Sequence, residues 1–569
     1  MYMYDNDETG ESFYDEDERG YDSDSEDADH LKVSNLENLK SLRESVNWEI
    51  DKERSEFLCQ FNSLIKDWEG QLPNLRYIFR SEEIDWLLTE DIKKNSLFSR
   101  VPIIDFVVRT GYKDEPKLNE DGKPSSRRTT PLHHATVRCS IFHWDIVHNL
   151  FKIYDRFDVN YTDDSGLTHF HVACHWGCNE VVEKFLELGQ DPNILVEKTG
   201  DSPLHLAVAT DHTKIAELLL KSGANPNSIN MVGYTPLHTM SKRFVDDYVA
   251  KILFKISDEK YRPVQVDARD VEGNTPLHLA LKCGGGFLVK SLLRNGANPN
   301  LTNAEGSTPL HIICKREEYF DADLARLFFL INGNLHQTLQ VNALDSLGRS
   351  PLQWAVANIL PYEVDVLLKH GADLSSFVFP TESYFGKRFE SQLDEVSLNF
   401  KLRLASAALA VAHRLERRGY KLDRSDAMMI MTLFDKYGLF EISIDHENSW
   451  YRDDNFAKRA KKIILCPDLT LCDMIQLRPE EAAKLLTYSD FFVFIHKIYS
   501  DYFPERPSEV CAVNLHKIIS RRFFRRWGLD SFLELTRYRL PVLCCEMIIQ
   551  LLVNENLWHI CLAAAEQIS

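Results

Sequence analysis

The sequence of 569 residues lacks the features that define several other classes of protein. It has no basic start followed by an apolar segment, and no run approaches the ~18 apolar residues that a membrane helix needs. Its 12 cysteines are scattered without the short spacings of a disulfide framework, which is typical of reduced thiols. We therefore expect a soluble protein of the cytoplasm or nucleus, without a membrane partner.

Recognisable catalytic motifs are also missing. The sequence contains no Gly-x-Ser-x-Gly, no His-Glu-x-x-His, no nucleotide-binding glycine loop and no paired carboxylates in a familiar frame. The glycine run at 284–286 lacks the Lys-Ser/Thr of a phosphate loop and is typical of a turn between two helices. The sequence therefore predicts a protein that is not an enzyme and that needs no cofactor.

Basic residues are in deficit, since 66 Lys and Arg face 86 Asp and Glu, a formal net charge of −20. Residues 1–30 hold 13 of the acidic residues, one basic residue and hardly any aliphatic ones, so we predict a disordered acidic tail. It either solvates the chain or docks a basic partner. The remaining chain is only mildly acidic, which argues against a broad nucleic-acid footprint.

A four-residue motif, Thr-Pro-Leu-His or a close variant, recurs along about half of the chain. Its copies begin at Thr130, Thr168, Ser202, Thr235, Thr275, Thr308 and Ser350, with spacings of 38, 34, 33, 40, 33 and 42 residues. The Thr or Ser hydroxyl suits a helix N-cap, and Pro suits the first helical position. A Gly after each apolar run, as at Gly223 and Gly296, predicts a left-handed helix end. Each unit is predicted to be a helical hairpin followed by an extended finger with a tight turn.

Motif, period and caps together resemble the ankyrin-repeat family. The resemblance implies an all-α repeat solenoid over residues 93–376, with seven recognisable repeats and an N-terminal cap that ends near 106–111. It also implies a target protein bound on the repeat surface. Apolar residues at the finger tips are the predicted target contacts: Met231, Val232, Val271 and Leu347. The insertions predict specificity loops at 256–264 and 333–340.

One cluster has residue types that suit zinc. His171, Cys174, His175 and Cys178 are spaced i, i+3, i+4 and i+7. Aligned on the motif, however, His171 is the motif histidine and Cys174 takes a small packing position. The register therefore favours packing over metal binding.

The segment 31–92 carries an apolar stripe with helical spacing from Leu39 to Trp68. We predict one long helix packed on the first repeat, with a dimerising coiled coil as the alternative. At the other end of the repeats, 377–478 is predicted to be a helical extension without a chemical motif, and 479–569 to be all-helical.

The C-terminal segment places Ile548 eight and Leu552 twelve residues after Leu540, which Pro541 follows. Pro at a helix start with apolar residues at these offsets predicts one apolar face for docking or packing. The pattern resembles the opening of an F-box, although Leu543 replaces a residue that is often acidic there and only 30 residues remain from Leu540.

Ankyrin repeats followed by such a segment are similar to the ankyrin proteins that carry a PRANC domain. This resemblance implies that Leu540, Pro541, Ile548 and Leu552 dock on the Skp-type adaptor of a cullin–RING ubiquitin ligase. The alternative is an ankyrin scaffold or inhibitor whose C-terminal helices are purely structural. The segment Arg521–Trp527 combines basic and aromatic residues. This pattern favours a buried aromatic face with a charged rim. Contact with nucleic acid is a third, weaker hypothesis for the function.

Overall fold

A computed structural model describes residues 35–66, 68, 70–94, 102–119, 122, 124–138, 144–243, 248–259, 263–316, 324–390, 397–440, 442, 461, 464–466, 469–470, 473, 484–500 and 506–567. The predicted disordered tail lies outside these residues. In the described part the chain is helical, as predicted, apart from a short antiparallel hairpin of β1 (Ile464–Cys466) and β2 (Leu469–Thr470). No helix there has both the length and the apolar character to cross a membrane.

The chain divides into two compact units, residues 1–231 and 232–569. The helices described in the first unit are α1 (35–44), α2 (Asp51–Lys66), α3 (Ser81–Lys94), α4 (Pro102–Arg109), α5 (Pro131–Arg138), α6 (Trp144–Ile153), α7 (His169–His175), α8 (Asn179–Glu187), α9 (Pro203–Ala209) and α10 (Thr213–Lys221). A short 3-10 turn, Leu75–Tyr77, lies between α2 and α3.

The second unit begins with four helix pairs of the repeats: α11 (Pro236–Ser241) and α12 (Tyr248–Glu259), α13 (Pro276–Cys283) and α14 (Gly286–Arg294), α15 (Pro309–Lys315) and α16 (Leu324–Asn334), α17 (Pro351–Ala357) and α18 (Pro361–Lys369). The described helices that follow are α19 (Leu398–Arg417), α20 (Arg424–Lys436), α21 (Tyr488–Ser500), α22 (Arg506–Leu535), α23 (Val542–Leu551) and α24 (Asn554–Glu566).

The prediction of one long helix from Leu39 to Trp68 is wrong, because the chain breaks between α1 and α2. The Asn47 side chain accepts a hydrogen bond from the Glu49 N–H at 3.0 Å, which favours a turn. Trp48 in the break packs on Phe57, with ring centroids 5.4 Å apart. Leu39, Phe57, Phe61 and Trp68 of the stripe are buried, whereas Ile50 at the break is exposed. Helix α2 contacts α4, so its part of the stripe packs within this unit.

Each repeat begins as the motif predicts. Thr or Ser takes the N-cap position with extended backbone in α7, α9, α11, α13, α15 and α17. Pro takes the first helical position in these helices except α7, and also in α5. In both units the first helices of neighbouring repeats contact one another, as α7 with α9 and α13 with α15. The second helices pair likewise, as α8 with α10 and α14 with α16. The predicted helical hairpins are therefore stacked within each unit.

In five repeats the motif histidine links the helix start to the finger that follows. In the Thr275 repeat, the backbone N–H of Thr275 donates to His278 Nδ1 at 3.2 Å. On the other edge of the ring, Nε2 lies 3.0 Å from the Ser307 carbonyl oxygen. A backbone N–H can only donate and a carbonyl can only accept, so the ring is neutral with its proton on Nε2. Equivalent contacts recur at His133 and His171 in the first unit, and at His238 and His311 in the second.

The predicted specificity loops at 256–264 and 333–340 both begin inside a helix, whereas 335–340 is non-helical as predicted and 260–262 lie outside the described residues. Residues 256–259 belong to α12, and 333–334 end α16. In the repeats with long spacings the second helices are extended, 12 residues in α12 and 11 in α16 against 9 in α14. The connections between the two helices of these repeats are also longer than the two residues, Gly284 and Gly285, that join α13 to α14. Most of the extra length therefore enters at the helix-hairpin end of the repeat, while the fingers after α12 and α16 are longer by about two residues than the finger after α14.

The helices after the repeats pack on the last repeat and on one another. The long helix α19 contacts both α18 and α21, while α22 contacts α23 and α24. Phe434 of α20 and Phe524 of α22 are fully buried, with ring centroids 5.2 Å apart. The boundaries proposed at 377–478 and 479–569 remain predictions.

Glycine at the finger turns allows neighbouring fingers to approach closely. Gly273 has φ of +74°, and a Cβ there would lie 2.7 Å from the backbone nitrogen of Ala304 in the next finger. Gly348 has φ of +71°, but a Cβ there would have no atom within 4 Å. An alanine at Gly348 would therefore add backbone strain alone, whereas an alanine at Gly273 would add both strain and a steric clash.

We predict that Gly273→Ala lowers the free energy of unfolding by about 1–3 kcal/mol more than Gly348→Ala, because only the former adds overpacking to the left-handed strain. Urea unfolding followed by circular dichroism measures both variants. Equal losses would mean that the close approach of the fingers does not limit this position.

Burial lowers the pKa of His278 to about 4, although its hydrogen bond to Ser307 opposes the shift. The neutral ring therefore contributes stability that is complete above pH 6.5 and is lost as the pH falls toward 4. Gln353 already occupies the equivalent place in the Ser350 repeat, where its Oε1 accepts from the Ser350 N–H at 2.9 Å.

We predict that His278→Gln keeps the cap but makes stability less dependent on pH. Between pH 7 and pH 5 the free energy of unfolding of the variant should fall by about 2 kcal/mol less than that of the wild type. The measurement is urea unfolding of both proteins across this range. Parallel pH profiles for the two proteins would contradict a neutral, buried His278.

Candidate protein-binding surfaces

Backbone hydrogen bonds join the finger tips of the second unit in a row. The Val271 N–H donates to the Val232 carbonyl at 3.4 Å, and the Ala304 N–H to Glu272 at 2.9 Å. The row ends where the Ser346 N–H donates to Glu305, also at 2.9 Å. These bonds fix the backbone and leave the side chains at the tips directed away from the ladder. The fingers thus form a constant frame that carries variable side chains.

The four predicted tip residues are all exposed. Met231 lies in the first unit, where its N–H donates to the Thr199 carbonyl at 2.9 Å. Val232, Val271 and Leu347 lie in the second unit, on the row of fingers. Two further exposed apolar residues of the fingers, which the sequence reasoning passed over, are Ile229 and Leu344. Exposed apolar residues grouped on a rigid frame are typical of a protein-binding surface.

An aromatic and basic cluster lies beside the last finger. The indole N–H of Trp354 donates to Asp345 Oδ2 at 2.7 Å, and Lys315 Nζ lies 3.2 Å from the same oxygen. The Arg349 guanidinium lies 4.9 Å from the centroid of Trp354 and 3.7 Å from that of Tyr384. Burial raises the pKa of Asp345, but hydrogen bonds from Arg349, Trp354 and Lys315 outweigh it and hold the pKa below its usual value.

This cluster has the composition of a binding hot spot. Trp, Tyr and Arg dominate the residues whose truncation weakens protein interfaces. Trp354 is half-buried, so part of its ring faces outward while the rest is held by the cluster. The sequence reasoning missed it. The signal was available, since other copies of the motif are followed by smaller residues such as Val172, Thr239 and Leu279.

Helix α23 carries an exposed apolar face. Cys545 and Ile549 are buried on the side of α23 that packs on the rest of the unit. On the other sides, Leu543 is 73% exposed and Leu551 is 86% exposed. Val542 and Met547 are also exposed. A helix with apolar residues around most of its circumference is expected to be buried, so this face is one that a partner would cover.

Arg521 of α22 holds the end of α23 in place. Its Nη2 donates to the carbonyl oxygen of Gln550 at 2.7 Å and to that of Ile549 at 3.3 Å. Carbonyls of the last turn of a helix attract a positive charge, and the Ile549 carbonyl also accepts from the Leu552 N–H at 3.3 Å. The exposed helix is therefore anchored at its C-terminal end.

The structure places the four predicted docking residues around α23 rather than on one face of it. Pro541 is the N-cap and is exposed, and Leu540 precedes it with 39% exposure. Ile548 lies within the helix and is 38% exposed. Leu552 is the C-cap, in extended conformation and half-buried. The most exposed side chains, Leu543 and Leu551, were not in the predicted set.

The segment Arg521–Trp527 is engaged within the second unit. Phe523 and Phe524 are buried, as the packing interpretation predicted. Arg522 donates to the Leu486 carbonyl at 3.4 Å, and Arg526 donates to Glu416 at 2.7 Å. Three of the four arginines therefore make contacts inside the protein.

The residues with zinc-like spacing have structural partners. His171 uses Nδ1 at its own helix cap and Nε2 at the Ile194 carbonyl, 3.0 Å away. Cys174 and Cys178 are buried, and burial raises the pKa of the Cys178 thiol to about 12. Within the described residues, no group of three or more His, Cys, Asp or Glu side chains is arranged to hold a metal ion.

The repeat segment matches known families. Residues 140–230 match the family model described as ankyrin repeats in three copies, and residues 259–313 match the model for ankyrin repeats in many copies. The first region includes α6 to α10, and the second includes α13, α14 and most of α15.

Several curated proteins are similar over part of the chain. Human transient receptor potential cation channel subfamily A member 1 is 27% identical over 37% of this chain and 18% of its own length. Human neurogenic locus notch homolog protein 4 is 36% identical over 21% of this chain and 6% of its own length. The Arabidopsis thaliana E3 ubiquitin-protein ligase KEG is 33% identical over 26% of this chain and 9% of its own length. The chain thus spans less than a fifth of the length of each of these relatives.

Proposed function

We propose that the protein is a non-enzymatic adaptor. In this proposal the ankyrin repeats hold a target protein, and the C-terminal helices recruit the Skp-type adaptor of a cullin–RING ubiquitin ligase. The recruited ligase carries out ubiquitin transfer, so the chain itself needs no catalytic residue and no cofactor. The PRANC-like and F-box-like character of the C-terminal segment belongs to this proposal.

The observation that carries the recruiting half is the exposed apolar face of α23. Leu543, Met547 and Leu551 together present more apolar surface to solvent than a lone exposed residue explains. A helix that lays its apolar face into a partner's groove is a common recognition mode. The anchor at Arg521 supports the same conclusion, because an ordered helix loses less entropy when it binds.

The target-binding half rests on the finger tips and the Trp354 cluster. The tips supply exposed apolar side chains on a hydrogen-bonded frame, and Trp354 with Arg349 supplies a candidate hot spot. Repeat surfaces vary on a constant frame, so the identity of the target is not encoded in the frame.

A second candidate is an ankyrin scaffold or inhibitor with a purely structural C-terminal domain. The burial of Cys545 and Ile549 and the partial burial of Leu552 favour this candidate, because they tie α23 to the protein's own core. It differs from the first in predicting that no ligase adaptor binds. Nucleic-acid binding is the weaker alternative, since three of the arginines at 521–526 already have internal partners.

The two leading candidates are separated by binding of the full-length chain to a purified Skp–cullin assembly. We predict that wild type binds and that Leu543→Asp with Leu551→Asp weakens binding by at least about tenfold, since each charge would have to be desolvated in the interface. Both side chains are exposed, so the variant is expected to fold, as circular dichroism checks. Surface plasmon resonance gives the dissociation constants.

Two control variants make the result specific. Leu188→Asp changes an equally exposed apolar residue of the first unit, and Trp354→Ala alters the repeat surface. Both are expected to bind the assembly like wild type. Folded wild-type protein that does not bind, or binding that all four proteins share equally, would reject recruitment and leave the scaffold candidate.

A further inference from the structure

A cavity lies in the second unit where the last repeat meets the C-terminal helices. Its empty space is about 660 Å³, a volume that includes solvent at its open mouth. One wall is the start of α18 and the residues before it, including Ile359. The opposite wall is formed by α19 and by α21, which contributes Phe492 and Ile495. Most of the lining is therefore apolar, which is typical of a small-molecule site.

A buried arginine lines this cavity. Arg316 is 8% exposed, and among the described residues its Nε is buried without a hydrogen-bond partner. Leaving a charged donor buried and unsatisfied costs more than a typical hydrogen bond gains. The backbone carbonyl of the same residue accepts from Arg388 Nη1 at 2.9 Å, so a second guanidinium lies close by. Such a donor is best satisfied by an acceptor that enters the cavity.

Further arginines surround the same space. Arg403 also lines the cavity. The Arg414 guanidinium lies 5.3 Å from the centroid of Tyr362 and 5.6 Å from that of Phe492, and burial lowers the pKa of Arg414. Within the described residues, Arg414 Nη1 is likewise buried and unsatisfied. Arg316 in the lining and Arg414 behind Tyr362 and Phe492 therefore each have a buried nitrogen without a hydrogen-bond partner among the described residues.

The carboxylate near these arginines does not balance them. Among the described residues that line the cavity, Glu363 is the acidic one. Burial raises the pKa of Glu363 to about 7, although Arg388, Arg316 and Arg414 each act to lower it. Its carboxyl is thus partly neutral near pH 7. Asp365 also acts on Arg414, but two carboxyl groups do not match the four guanidinium groups of Arg316, Arg388, Arg403 and Arg414, so an excess of positive charge remains in a poorly solvated place. An excess of this kind attracts an anion.

We infer that this cavity is a binding site for a small carboxylate with a compact apolar body, the carboxylate pairing with Arg316 and the body packing on Phe492 and Ile495. Guanidinium matches the planar shape of a carboxylate and binds it with two parallel hydrogen bonds. Inorganic phosphate lacks the apolar body that the walls would cover. Because the walls come from the C-terminal end of α15, from the last repeat and from α19 and α21, a bound molecule would also stabilise the packing of these elements on one another.

The test uses benzoate as the probe and the full-length protein, with isothermal titration calorimetry as the readout. We expect saturable binding of benzoate, and binding of benzamide and of inorganic phosphate that is at least about tenfold weaker. Benzamide has the same apolar body without the charge, and phosphate has charge without the body. Binding of either one as tight as that of benzoate would overturn the proposed ligand class.

Variants locate the binding. Arg316→Gln is expected to weaken benzoate binding by at least about tenfold, whereas Arg294→Gln, which removes an exposed arginine of α14 outside the cavity, is expected to leave it unchanged. Ala407→Met fills the cavity without touching a charge, and it gives an independent loss of binding if Arg316→Gln does not fold. No saturable binding at millimolar benzoate, or binding that survives both cavity variants, would overturn the proposal.

Discussion

The stacking within each unit depends on neutral histidines that bridge a helix cap to the following finger in five of the repeats. One ring nitrogen accepts the backbone N–H of the N-cap residue, and the other donates to a carbonyl in the finger that follows, as His278 does between Thr275 and Ser307. A proton added to Nδ1 would remove the acceptor and place a charge in the core. Burial prevents this, since it lowers the pKa of His171 and of His278 to about 4. The recurring motif therefore both starts a helix and forms a hydrogen bond to the finger that follows.

The hydrogen bonds of the motif fix the backbone of the repeats and leave the surface side chains free to vary. The histidines, the caps and the finger-to-finger hydrogen bonds occupy buried or backbone positions, so they specify no partner. Specificity resides in side chains that the frame holds outward, such as Val271 and Leu347, and in the Trp354 cluster. Such a division suits an adaptor, because one surface can adapt to a target while α23 presents an unrelated apolar face elsewhere in the second unit.

The repeat architecture could be predicted from the sequence because its determinants are local. Period, N-cap, Pro and the following Gly lie within one repeat, and the tip residues follow from the turn. Features that depend on distant contacts were missed. The break at Asn47 follows from Trp48 packing on Phe57, and the surplus length in α12 and α16 was assigned to loops because spacing alone does not say where extra residues fold. The exposed face of α23 and the arginines around the cavity likewise arise from tertiary packing, which cannot be predicted from the periodicity of the sequence.

The adaptor account is tested most directly by hydrogen–deuterium exchange of the full-length chain, with and without a purified Skp-type adaptor. The account predicts slower exchange of the amides of α23 and of the turn that follows it, with unchanged exchange in the repeats. This pattern would place the adaptor on the face formed by Leu543, Met547 and Leu551. Unchanged exchange in α23 at saturating adaptor, or slowing confined to the repeats, would contradict it.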